Sequence, residues 1–197
     1  SPISARSIAA FFKNQQARIT ADTVLSYLSH VCDAFLLFRT GRFEIKGKKH
    51  LEFLDKYYLG DLGLRHALFG YREADINGLL ENVVYLELLR RGYQVKVGVL
   101  DQAEIDFIAE RQGDRLYIQV AYLLTGPDTV QREFGNLERI PDHFPKLVLS
   151  LDEVGPDQRN GIRRQHLLDF LLDPSERVQS PSPSTKTRGG LESLICT

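Results

Sequence analysis

The chain has no methionine and no tryptophan, and only two cysteines among its 197 residues. Cys32 and Cys196 make neither a CxxC nor a His/Cys metal spacing, which excludes a thiolate metal site. No apolar run is long enough for a signal peptide or a membrane span. Reduced thiols without such a segment point to the cytoplasm and to no membrane partner. The GxxxxGK[ST] loop is also missing, so these residues cannot cradle a nucleoside triphosphate in the P-loop manner. Net charge is −1, leaving no global attraction to nucleic acid or anionic lipid. Any such attraction has to come from a local patch. Beginning at Ser1-Pro2 with no methionine, the chain reads as part of a longer polypeptide.

What is present is an ordinary globular composition, 43% hydrophobic and 26% charged. Ile8, Phe11 and Phe12 fall at helical spacing within 4–16, and Thr20 is placed to cap a second helix carrying Val24, Leu25, Leu28, Val31 and Cys32. β-rich stretches follow at 34–43 and 56–59, separated by the Lys- and Gly-rich segment GRFEIKGKKHLEF. Two helices and a basic hairpin predict a winged helix-turn-helix over 1–72. A long helix is expected over 75–91, closed by Gly92. Strands are expected at 93–99, 104–109 and 116–123, then a helix at 128–140 and a strand at 147–151. This predicts an α/β (α+β overall) chain whose second unit, 73–173, has the order αβββαβ. From Pro174 the composition shifts to QSPSPSTKTRGG, so 174–197 is expected to be a disordered tail.

Glu81 lies on the long helix in a stripe with Val84, Tyr85 and Leu88, where a carboxylate needs a partner. Asp106 begins the second strand pattern, and Gln119-Val120-Ala121 lies in the third. A glutamate at 119 and a lysine at 121 would complete a PD-(D/E)xK nuclease site. There, two acids hold Mg²⁺, the metal activates water, and a lysine on the same strand face orients it. Gln119 and Ala121 remove both charges. Glu81, Asp106 and Gln119 therefore stand as vestigial candidates, with Glu81 and Asp106 as weak Mg²⁺ ligands. The alternative is a Mg²⁺-dependent endonuclease whose missing function is supplied by His143 or by a lysine from elsewhere, such as Lys146.

The run from Gly78 to Gly92, Glu104-Ile-Asp-Phe, and Tyr117-Ile-Gln-Val-Ala-Tyr122 resemble a prokaryotic domain of unknown function with a restriction-endonuclease-like core. Residues 4–8, 23–28 and 56–64 resemble the winged-helix part that precedes that core. The resemblance covers about residues 1–173 and implies an AAA-type ATPase module elsewhere in the same polypeptide. That module would be the site of ATP and a partner for this region. The resemblance implies no further cofactor here.

The exposed positions of the second helix carry Asp22 and Asp33 but no Lys or Arg, a poor major-groove reader. Arg39, Arg42, Lys46, Lys48 and Lys49 form a basic run suited to sequence-independent phosphate contact. Nucleic acid and a protein partner both remain open as ligands. The expected role is a non-catalytic accessory region of an ATPase.

Overall fold

The computed structural model describes residues 5–17, 19–124, 126–153 and 157–173, without the side chains of 52–54. The expected tail at 174–197 lies outside the described residues. Two helices open the fold, α1 (Ala5–Asn14) and α2 (Ala21–Asp33). Thr20 caps α2 as expected, its hydroxyl accepting the Thr23 N–H at 3.2 Å. α1 buries none of its residues, and Phe11, Leu25 and Tyr27 remain exposed. Cys32 is only half-buried.

A hairpin of β1 (Leu37–Glu44) and β2 (Lys49–Leu59) follows. Here the structure departs from the two-unit expectation. β1 pairs in parallel with β3 (Gln94–Leu100), from Arg42↔Val97 to Glu44↔Val99. The hairpin is thus the edge of a single sheet built from both sides of position 72, not a detached basic wing. The cause lies inside the segment read as a loop: Phe43 and Ile45 are buried against Leu100, Ile105 and Ile108. Two apolar side chains alternating with charge suit a half-buried strand.

The remaining elements are α3 (Leu62–Phe69), a 3₁₀ turn (Glu73–Asp75), α4 (Ile76–Arg90), β4 (Ala103–Arg111), β5 (Asp114–Val120), α5 (Pro127–Glu138), β6 (Lys146–Ser150), β7 (Gln158–Arg159), β8 (Ile162–His166) and α6 (Leu167–Leu172). Gly92 ends the long helix at φ 80°, in the left-handed conformation that glycine adopts most readily. The architecture is mixed α/β, and α4-β3-β4-β5-α5-β6 follows the expected order. Strand order across the sheet is β2-β1-β3-β4-β5-β6-β8-β7. Helices α4 and α6 cover one face through Val84, Leu88 and Phe170, packed with Phe107 and Ile118. Helix α5 covers the other through Phe134 and Leu137, packed with Tyr117 and Val148. No helix among the described residues is long and apolar enough to cross a membrane.

β2 is an edge strand, and an edge exposes unpaired backbone groups. Asn82 on α4 closes part of that edge. Its Oδ1 accepts the Leu59 N–H and its Nδ2 donates to the Leu59 carbonyl, both at 2.8 Å. Asn82 is 5% exposed, so it clamps the hairpin to the long helix from within. Asn82→Ala removes both bonds and should lower stability by about 2 kcal/mol. Urea unfolding should show a lower midpoint at an unchanged slope. A midpoint equal to that of the parent chain would mean that water replaces the clamp.

Candidate functional site

The site forms where β4 loses its regular pairing with both neighbours. Gly98 pairs with Ile105 but Lys96 pairs with Ile108, so β4 carries one extra residue at Asp106–Phe107. On the other side the β4–β5 ladder ends at Phe107↔Ile118. A bulge of this kind re-aims side chains. Side chains also replace the missing backbone bonds. The Asp106 N–H donates to Gln119 Oε1 at 2.7 Å, and Asp106 Oδ2 accepts the Val120 N–H at 2.8 Å.

Gln119 then turns to the α5 layer, where its Nε2 donates to Glu133 Oε2 at 2.9 Å. Glu133 is 5% exposed and also accepts from Arg132 Nε at 2.8 Å. Asp106 therefore stands between the two other candidates, bonded to Gln119 and close enough to Glu81 to feel its charge, while the Gln119 amide turns away from Glu81. Glu81 stands on α4, on the opposite side of the sheet from α5, and Gln119 is committed to Asp106 and Glu133. Ala121 is buried at 4% exposure just beyond β5.

On the α4 side a lysine does reach the acids, and it comes from β2. Lys56 Nζ lies 2.5 Å from Glu81 Oε1 and 2.8 Å from Glu104 Oε1. Tyr58, two residues further on the same strand face, donates its hydroxyl to Glu81 Oε1 at 2.5 Å. Arg42 Nη1 donates to Glu104 Oε2 at 2.6 Å. Neither proposed substitute takes this place: His143 is exposed, and Lys146 Nζ donates to the Asp142 carbonyl at 2.7 Å.

These contacts set the protonation states. Burial alone would lower the Lys56 pKa, but Glu81 and Glu104 together raise it above the ordinary lysine value. Glu104 is held below its ordinary value despite burial, by Lys56 and then Arg42. Burial, then the Glu81 charge, pushes Tyr58 far up. Asp106 retains some accessible surface, yet dense protein around its carboxylate and then the Glu81 charge raise its pKa well above its ordinary value. The Val120 N–H and Lys56 oppose that rise without cancelling it. Two cations already balance Glu81 and Glu104, so a proton on Asp106 keeps the cluster neutral.

The residues present do not fit the Mg²⁺ that a nuclease-like site implies. Mg²⁺ needs several oxygen ligands aimed at one point. Here an ammonium stands against Glu81 and Glu104, Asp106 favours its protonated form, and the Gln119 oxygen is held by a backbone N–H. No group of three or more acidic, His or Cys side chains among the described residues could hold a metal.

The basic run is also largely paired within the chain. Arg42 is 8% exposed and bonded to Glu104, which corrects its expected role at a phosphate surface. Arg39 pairs with Asp55, Lys46 with Asp101 at 2.7 Å, and Lys49 with Glu44 at 3.3 Å. Lys48 is exposed at the hairpin turn, at φ 50°. Exposed pairs such as those of Lys46 and Lys49 are weak and exchangeable, but the buried Arg42 contact is not.

Reading the sequence missed Lys56, Tyr58, Glu104 and Glu133. Glu104 stands two residues before Asp106, and Lys56 and Tyr58 alternate along an expected strand, so both pairs carried a same-face signal. Nothing local marked Glu133 as the partner of Gln119.

The chain is 38% identical over 150 residues to an uncharacterized protein of Haemophilus influenzae, which covers 76% of this chain and 37% of that protein. It is 29% identical over 178 residues to an uncharacterized protein of Methanocaldococcus jannaschii, covering 86% of this chain and 39% of that one. The chain thus spans less than two fifths of the length of the curated relatives it matches. No family model and no solved structure matches it.

The raised Asp106 pKa has a signed consequence. A folded-state pKa above the unfolded value gives stability that is full below about pH 4 and is lost as pH rises through the folded pKa. Asp106→Asn keeps an acceptor for Val120 and removes that loss. The variant should match the parent's melting temperature near about pH 4 and exceed it progressively toward neutral pH. A pH-independent difference, or a less stable variant at neutral pH, would contradict a protonated Asp106.

Proposed function

We propose that this region is a non-catalytic part of a larger, cytoplasmic AAA-type ATPase polypeptide, a nuclease-like scaffold that binds a partner without cutting nucleic acid. The observation that carries this reading is the Lys56 ammonium bridging Glu81 and Glu104, where a nuclease would need a divalent cation. The commitment of Gln119 to the Asp106 N–H and Glu133 supports it. The ATPase assignment rests on the resemblance of the separate sequence segments, and ATP belongs to the module outside this chain. The greater length of the matched relatives is compatible with it. The buried pairing of Arg42 with Glu104 removes a cation from the basic run, which favours a protein partner over nucleic acid. Exposed Phe35, Leu68 and Phe69 favour it further.

One observation favours a second reading. Lys56 is a lysine brought to the acidic residues from another strand, which a metal-dependent endonuclease with a relocated lysine would require. Supercoiled plasmid incubated with Mg²⁺ or Mn²⁺ separates the two. The proposal expects the chain, Asp106→Asn and Lys56→Ala all to leave the plasmid at the level of a metal-free control. Metal-dependent nicking by the unmodified chain that both substitutions abolish would overturn it and establish Lys56 as the relocated lysine.

A further inference from the structure

Helices α1 and α2 carry more apolar surface than their contact with each other covers. At about 100° per residue, α1 turns Phe11, Ile8, Phe12, Ala5 and Ala9 onto one arc about 160° wide. Tyr27, Val31, Val24, Leu28 and Leu25 form an arc of about the same width, 160°, on α2. A helix with one neighbour covers only a narrow seam of such an arc, whereas each helix of a four-helix bundle lies between two. Here α1 packs chiefly on α2 and buries no residue, while α2 also packs on β1, which leaves α1 outermost. At the edges of the arcs Phe11 and Tyr27 are 58% exposed and Leu25 is 51% exposed. With Phe12, they leave about 400 Å² of apolar surface in water, taking roughly 200 Å² for a whole aromatic side chain. One side of a standard protein interface buries about 450 Å² of apolar surface, so the exposed area is of interface size.

The charges on the two helices are an independent observation. Arg6 and Lys13, seven residues apart, lie on one side of α1, which has no acid. Asp22 and Asp33, eleven apart, lie on one side of α2, which has no Lys or Arg. Among the described residues Arg6, Lys13 and Asp22 have no ion-pair partner, and Asp33 has only His30 at 4.0 Å. Along their helices the two cations are about 10 Å apart and the two acids about 16 Å, a mismatch that long Lys and Arg side chains can span.

We propose that the α1–α2 hairpin is a homodimerisation surface. Two copies of the chain build an intermolecular four-helix bundle about a two-fold axis, with α1 of each packed against α2 of the other. That pairing sets the cations of one copy beside the acids of the other, whichever way the hairpins run. Packing α1 against α1 would instead bring like charges together, as would α2 against α2. The complementarity lies between the two helices themselves, so a second copy supplies what each arc lacks. An isologous interface requires this self-match. The surface is separate from Phe35, Leu68 and Phe69, so the dimer stands apart from the partner-binding reading.

Sedimentation equilibrium of the full 197-residue chain over about 1–500 μM tests the dimer by mass action. The parent should pass from 22.4 kDa to twice that mass, with a dissociation constant on the order of micromolar. Phe11→Glu, at a position already in water, should raise that constant by about 30-fold or more. Its melting temperature at the lowest concentration should match the parent's. A charge swap tests which helices meet. Arg6→Glu with Lys13→Glu makes an all-acidic hairpin, and Asp22→Lys with Asp33→Lys makes a basic one. Each variant alone should associate several-fold more weakly than the parent, and an equimolar mixture should recover the dimer. A parent that stays at 22.4 kDa throughout would overturn the proposal and leave the arcs to a different partner. So would a dimer that survives Phe11→Glu, or a mixture no more dimeric than its components. Plasmid nicking bears on none of these outcomes.

Discussion

The structure turns on one ammonium group. Lys56 stands between Glu81 of α4 and Glu104 of β4, at 2.5 and 2.8 Å. Its strand lies three positions away from β4 in the sheet order, across β1 and β3. Bulges in the β1–β2 and β3–β4 pairings lie on the same route. The charge links the edge hairpin, the long helix and the middle of the sheet in one contact set. Removing one member of a partly buried ion pair leaves its partners uncompensated, which costs more than the pair itself contributes. A divalent cation entering here would have to displace Lys56 and take a proton from Asp106. Both changes oppose binding.

Gln119 has an equally definite physical role. Where the β4–β5 ladder stops, a side chain at 119 has to accept the Asp106 N–H and donate to Glu133. An amide can do both, whereas an ionised carboxylate can only accept. A glutamate at this position would bring a charge against Glu133 and close to Asp106. The departure from the nuclease pattern is therefore built into the local hydrogen bonding and extends beyond the loss of one acid. Restoring the acid and the lysine on β5 alone does not restore a metal site in this arrangement.

Much of this was legible in the chain. The period of the long helix, the Gly92 stop, the Thr20 cap and the order αβββαβ were all marked by local chemistry. The need for a partner at Glu81 followed from its apolar stripe, and Lys56 with Tyr58 meets that need. The role of the hairpin was not legible. Gly41, Gly47 and three lysines at 46, 48 and 49 read as a solvated loop, and only pairing with β3 makes Phe43 and Ile45 core residues. The bulge at Asp106 was hidden for a related reason. It depends on register with β3, and a single strand's alternation does not encode register. Once one residue is inserted against β3, alternation along β4 no longer carries through Asp106–Phe107.

The central claim is that Lys56 holds the position a metal would need, and Mn²⁺ titration followed by electron paramagnetic resonance tests it most directly. The free hexaaqua Mn²⁺ signal should persist undiminished when the unmodified chain is added at neutral pH. A loss of that signal at micromolar Mn²⁺, reversed by Asp106→Asn, would show that the acidic residues hold a cation despite Lys56 and would contradict the claim.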